Sequence, residues 1–173
     1  MGHQINRSAR SAAFHEAGHA VFAWLYGLDF DSITIAPGEE NAGMIALSDV
    51  SHLRKTKGGW TRFRTGEDMM SVAGPVAEAI FLGSPYIIND MPALHMGLLF
   101  SDTDILTDED GAMSDHSKVW AVFRMMKERP EIWSAVTALA QLLIDVETVS
   151  GKRASRVIRQ HVPIKWPRHR KAS

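Results

Sequence analysis

The segment AAFHEAGHAVFAWLYG, residues 12 to 27, constrains the fold more than any other part of the chain. Phe14, Val21, Trp24 and Leu25 recur at helical spacing with alanines filling the gaps, and Gly27 is a natural stop. Ser8 or Ser11 is placed to cap the start. The pattern predicts a core helix that carries His15, Glu16 and His19 at mid-length, where burying polar groups demands a compensating role.

The remainder of the chain is compatible with one domain. Its 173 residues suffice for one real core and fall short of two comfortable ones, so the expectation is a single domain over 1–173, with a core of about 8–160 and a basic tail over 161–173. With 45% apolar and 23% charged residues and a formal net charge of -1, the balance is that of a globular protein, and not of a general nucleic-acid binder. Cysteine is absent, which excludes disulfides and thiolate metal sites; any metal must be held by His, Asp, Glu or water. No uninterrupted apolar run of about eighteen residues occurs, and MGHQINRSAR lacks the apolar region of a signal peptide. The expectations are no membrane span and a cytoplasmic location.

DSITIAP and AGMIALSD alternate in strand fashion around the turn-like GEEN, which predicts a β-hairpin packed on the first helix. VSHLRKTKGGWTRFRTGED reads as a basic, glycine-interrupted surface connection. EDMMSVAGPVAEAIFLG reads as a second core helix ending at Gly83, with Pro75 marking a kink or the true first turn. The stretch over residues 84–113 is a long mixed segment that can conceal short helices. SDHSKVWAVFRMMKER predicts a helix capped by Ser114 or Asp115 and ended by Pro130, and a long helix then runs from that proline to Gly151. The tail after Gly151 is strongly basic and contains no acid. The fold class is therefore α+β, mainly α-helical: a helical bundle carrying the His-Glu-x-x-His helix with a small β-hairpin or sheet packed on it.

On a helix, residues four apart lie on one face, so the imidazoles of His15 and His19 can converge on one divalent ion. Neutral imidazoles favour zinc, and a catalytic zinc takes three protein ligands and leaves a fourth position to water. Glu16 would then serve as general base toward that water, and peptide-bond hydrolysis is the natural reaction. Ala17 and Gly18 allow another element to approach this turn closely. Phe22 and Leu25 stand where a metzincin needs glycine and a third histidine, so that class is excluded. Glu39 or Glu40 would be the ligand of a gluzincin-like arrangement, although both fall in the predicted turn.

FHEAGHAV resembles the zinc motif of the FtsH family, the ATP-driven zinc metalloproteases. DSITIAPGEENAGMIAL, VAGPVAEAIFLG, GAMSD and LLIDVETVSG are similar to further stretches of that family's peptidase domain, in the same order. The resemblance covers most of residues 11 to 160. It implies that His15 and His19 are Zn2+ ligands, Glu16 the base and Asp115 the third ligand, with Asp104 and then Asp102 as alternatives because FSDTDI also aligns. As an ordinary helix residue, Asp115 reads equally as an N-cap. Glu78 matches the glutamate of the Gly-x-x-Ala-Glu helix, where it would receive the outer ring N–H of a ligand histidine; from its own position it reads equally as a surface glutamate on an exposed turn.

The chain departs from that family too. It carries no Gly-x-x-x-x-Gly-Lys-Ser/Thr string, no membrane anchor is expected, Pro75 replaces the family's usual arginine, and the segment between Glu78 and Asp115 is longer. The expected activity is thus a stand-alone, ATP-independent zinc metalloendopeptidase acting on peptides or unfolded protein, with no nucleotide and a possible homo-oligomeric state. The alternative is a non-catalytic binding or regulatory module, for which Lys152, Arg153, Arg156, Arg159, Arg168, Arg170 and Lys171 offer a basic surface to an acidic partner or nucleic acid, unless the tail is simply a solvated, frayed terminus.

Overall fold

A computed structural model describes residues 7–36, 43–49, 57–83 and 115–163, with the isolated positions 51 and 55. In chain order these form α1 (Arg7–Tyr26), β1 (Phe30–Thr34), β2 (Met44–Leu47), α2 (Lys57–Leu82), α3 (Asp115–Glu128), α4 (Pro130–Val146), β3 (Thr148–Ser150) and α5 (Gly151–His161). The fold is α+β and mainly helical, as expected, with one small antiparallel sheet. Among the described residues, no helix is long and apolar enough to cross a membrane.

Helix α1 is the axis of the molecule. From Ala20 to Tyr26 every residue is buried, because α2, α4 and the sheet together enclose it. It ends where expected, at Gly27, whose φ of 74° is a conformation that L side chains resist. Its start differs from expectation: Ser8 and Ser11 both lie inside the helix, which begins at Arg7, so neither is the cap.

Helices α1 and α2 pack antiparallel along one row of α2 positions spaced by four residues. Gly66 meets Tyr26, Met70 and Gly74 meet His19, and Glu78 meets His15. Such an i, i+4 row forms a continuous ridge on a helix surface. Gly18 lets the two backbones close: a Cβ there would lie 2.5 Å from the Ala73 carbonyl oxygen and 2.8 Å from the Ala77 Cβ. The small residues of the motif turn therefore do what their size suggests.

The segment read as a basic surface connection is instead largely helical, since α2 already begins at Lys57. Phe63, Gly66, Met69 and Ala73 face the core at helical spacing while Arg64 and Glu67 face solvent. Gly66 reads locally as a breaker, yet a Cβ at that position would come within 2.9 Å of Tyr26 Cβ, so its glycine serves packing. Pro75 also lies inside α2, where it removes one ladder donor and opposes the Ser71 carbonyl without ending the helix.

The hairpin forms as expected, with Ile33 opposite Ile45 and Thr34 opposite Met44. The third strand was not anticipated. The helix after Pro130 stops at Val146 and not at Gly151; Glu147 turns the chain with φ 58°, and Ile33 then pairs with Val149 on the other edge of β1. Gly151 opens α5 because any Cβ there would collide with the Phe30 carbonyl. The basic region continues as ordered helix to His161, capped by Ser150 and anchored through buried Ala154 and Ile158. The predicted Glu39–Glu40 turn, residues 84–113 and the end of the tail from 164 lie outside the described residues.

Candidate metal centre

His15 and His19 occupy successive turns of α1, and their ring centroids lie 4.8 Å apart with the planes at 75°. The two rings are thus neighbours on the face turned toward α2. His15 Nδ1 lies 2.9 Å from Glu78 Oε2, and His19 Nδ1 lies 2.6 Å from the Met70 carbonyl oxygen.

The chemistry of these partners assigns the tautomers. A backbone carbonyl only accepts hydrogen bonds, and so does an ionised carboxylate, so Nδ1 carries the proton in both rings. Each Nε2 is then left with its lone pair, the form in which imidazole binds a metal. The Nε2 edge of His19 packs against the α2 backbone at Gly74. A Cβ at position 74 would run into His19 Nε2, so only glycine leaves that nitrogen its room.

Glu16 is 7% exposed, and its Oε2 is buried without a hydrogen-bond partner among the described residues. A buried carboxylate oxygen with no donor is costly unless a ligand or substrate completes its surroundings. Burial pushes the Glu16 carboxyl up from its ordinary value, with neighbouring His15 opposing the shift. Gly43, just before β2, lies against the carboxylate: a Cβ there would be 2.7 Å from Oε1. Burial also holds His19 far below the usual imidazole range, at about 4; its bond to Met70 acts in the opposite sense and His15 reinforces the lowering.

In donor type and tautomer the two imidazoles fit a bound zinc ion. Among the described residues no group of three or more His, Cys, Asp or Glu is placed to hold a metal ion. Asp115 is the first residue of α3, four positions before buried Val119 and seven before buried Val122, but its side chain lies outside the described set. Asp102 and Asp104 lie outside it altogether, as do His52 and His95. Helix α3 is tied to α2 near the site by Lys118, whose Nζ is 3.3 Å from Asp68 Oδ1.

Glu78 of α2 lies against His15, its Oε2 facing the ring Nδ1. Two further participants escaped the sequence reading. The Met70 carbonyl is a backbone group and leaves no residue-type signal. Ser11 does leave one, being a polar residue four positions before His15 on the same helix face; its hydroxyl donates to Glu78 Oε1.

No protein-family model matches the chain, and no curated protein matches it significantly.

Proposed function

We propose that the protein is a zinc-dependent metalloendopeptidase of FtsH type, acting without ATP on peptides or already unfolded chains. The observation that carries this reading is the pair of imidazoles whose Nδ1 atoms are both committed to acceptors, beside a buried glutamate with an unpartnered oxygen.

His15 and His19 would hold the ion through Nε2, with Asp115 as the third ligand that the resemblance implies. When bound, zinc supplies Lewis acidity that polarises the scissile carbonyl and lowers the pKa of attacking water. Glu16 would act as the general base, taking a proton from the attacking water as the C–O bond forms and returning it to the amide nitrogen as the C–N bond breaks. The hairpin beside Glu16 restricts water around it, which strengthens its interactions.

A second reading, a binding module that keeps this scaffold without turnover, draws on α5. Lys152, Arg153, Arg156 and Arg159 are exposed on a folded helix whose apolar residues are already used by the core. Zinc content and hydrolysis of an unfolded protein substrate without nucleotide separate the two. The peptidase reading expects about one zinc per chain and a Glu16→Gln variant that keeps zinc while losing on the order of 10²–10⁴-fold in turnover. A chain that takes up no zinc, or a Glu16→Gln variant as active as the parent, overturns it.

A further inference from the structure

Glu78 is held at both oxygens from α1. Oε2 accepts from His15 Nδ1, and Oε1 accepts from the hydroxyl of Ser11, one helical turn earlier. Ser11 is 8% exposed, one of few buried polar residues among those described. A serine within a helix ordinarily turns its hydroxyl to the carbonyl four residues back or to water. This one reaches across to α2.

We propose that Ser11 is a positioning residue for His15: by holding the second oxygen of Glu78, it locks the carboxylate so that His15 keeps its proton on Nδ1 and its Nε2 available. Glu78 has a flexible stem and a side chain 25% exposed, so a single bond to His15 leaves the carboxylate able to rotate toward water. His15 itself is 30% exposed at its side chain and, among the described residues, has no backbone acceptor of the kind that secures His19. With two anchors one turn apart on α1, the carboxylate has one orientation that satisfies both. The ring orientation follows from that bridge, and removal of the hydroxyl releases it.

The inference rests on the peptidase reading for the identity of the metal alone; the tautomer and orientation of His15 can be read in metal-free protein. The experiment compares the parent with Ser11→Ala, Ser11→Thr and Ser11→Cys. The first removes the donor, the second keeps the hydroxyl, and the third keeps the size with a weaker donor. Long-range nitrogen–proton correlation spectra of metal-free protein report which His15 nitrogen is protonated, with His19 as internal reference. Zinc affinity is measured by competition with a chromophoric chelator.

The parent is expected to show His15 protonated at Nδ1. Ser11→Ala mixes the two tautomers at His15 while His19 is unchanged, and weakens zinc binding by roughly 10-fold, at the low end of the effect of outer contacts to a ligand histidine. Ser11→Thr restores both readouts and Ser11→Cys falls between. If Ser11→Ala fails to fold, the Ser11→Cys spectrum decides. An unchanged His15 tautomer and zinc affinity in the donor-lacking variant overturn the proposal. Should the parent bind no zinc, the peptidase reading fails, while the tautomer comparison still decides the role of Ser11.

Discussion

His15 and His19 share a helix face and are held in opposite ways. His19 is bonded to a backbone carbonyl of α2, Met70, in a setting buried enough to keep its imidazolium at about 4. His15 is bonded to a side chain, Glu78, which is itself held by another side chain, Ser11. A backbone anchor moves only if helix packing moves, whereas a side-chain anchor depends on rotamers and so needs a second hold. The difference shows that one turn of one motif can combine a ligand tied to the stability of the fold with another tied to local chemistry. Substitutions at the two ends should therefore fail differently.

Gly74→Ala attacks the backbone-anchored end and has the largest expected effect. The added methyl has no place except in the His19 ring, so the ring or α2 must shift. A stability loss of about 1–3 kcal/mol, as for overpacking, is expected in chemical denaturation. Zinc binding should fall at least in the order of 100-fold in chelator competition. Retention of both would show that His19 is not confined as described.

Acid titration tests the same end without changing its shape. Because burial lowers His19 in the folded state, the unfolded chain takes up the proton first as pH falls from about 6.5 to about 4. Stability of the metal-free protein attributable to His19 is therefore lost as pH falls through that window, by up to about 3 kcal/mol. Glu16, shifted upward, acts with the opposite sign at overlapping pH, since its folded form holds the proton more tightly. The decisive quantity is the difference in urea midpoint between the parent and His19→Gln across pH 7.5 to 4, and equal slopes would contradict the buried state of His19.

Glu78→Ala addresses the other end. Zinc affinity should fall roughly 10–100-fold while stability changes by less than about 1 kcal/mol, because His15 sits at a partly exposed position where water can replace the carboxylate. A large loss of stability with unchanged zinc affinity would make Glu78 a structural residue. The smallest effect is expected for Asp68→Asn, which breaks the pair with Lys118 between α2 and α3. Partial exposure screens that pair, so less than about 1 kcal/mol should be lost in thermal unfolding. His19 should keep its tautomer in the same sample.

The contrast also separates what local pattern and tertiary packing each specify. Periodicity located α1, its stop at Gly27 and the hairpin, because those signals reside in consecutive residues. It misread residues 57–66, where Gly58, Gly59 and Gly66 mimic a loop. There the decisive facts are the close approach of Tyr26 to Gly66 and the burial of Phe63, both contributed by distant parts of the chain. The third strand was missed for the same reason: Thr148–Ser150 is too short to announce itself and exists because β1 offers a free edge. Glu78 was legible through resemblance, Ser11 only through its spacing from His15, and Met70 not at all.

By itself the sequence determined that two imidazoles share one face of a core helix with a carboxylate on the adjoining side, because helical spacing is a local property of the chain. Tertiary structure alone decided how those groups are oriented. The antiparallel row Gly66, Met70, Gly74 and Glu78 on α2 supplies the acceptors and the room. The proton position on an imidazole depends on which atom faces it, and that atom here lies more than fifty residues away along the chain.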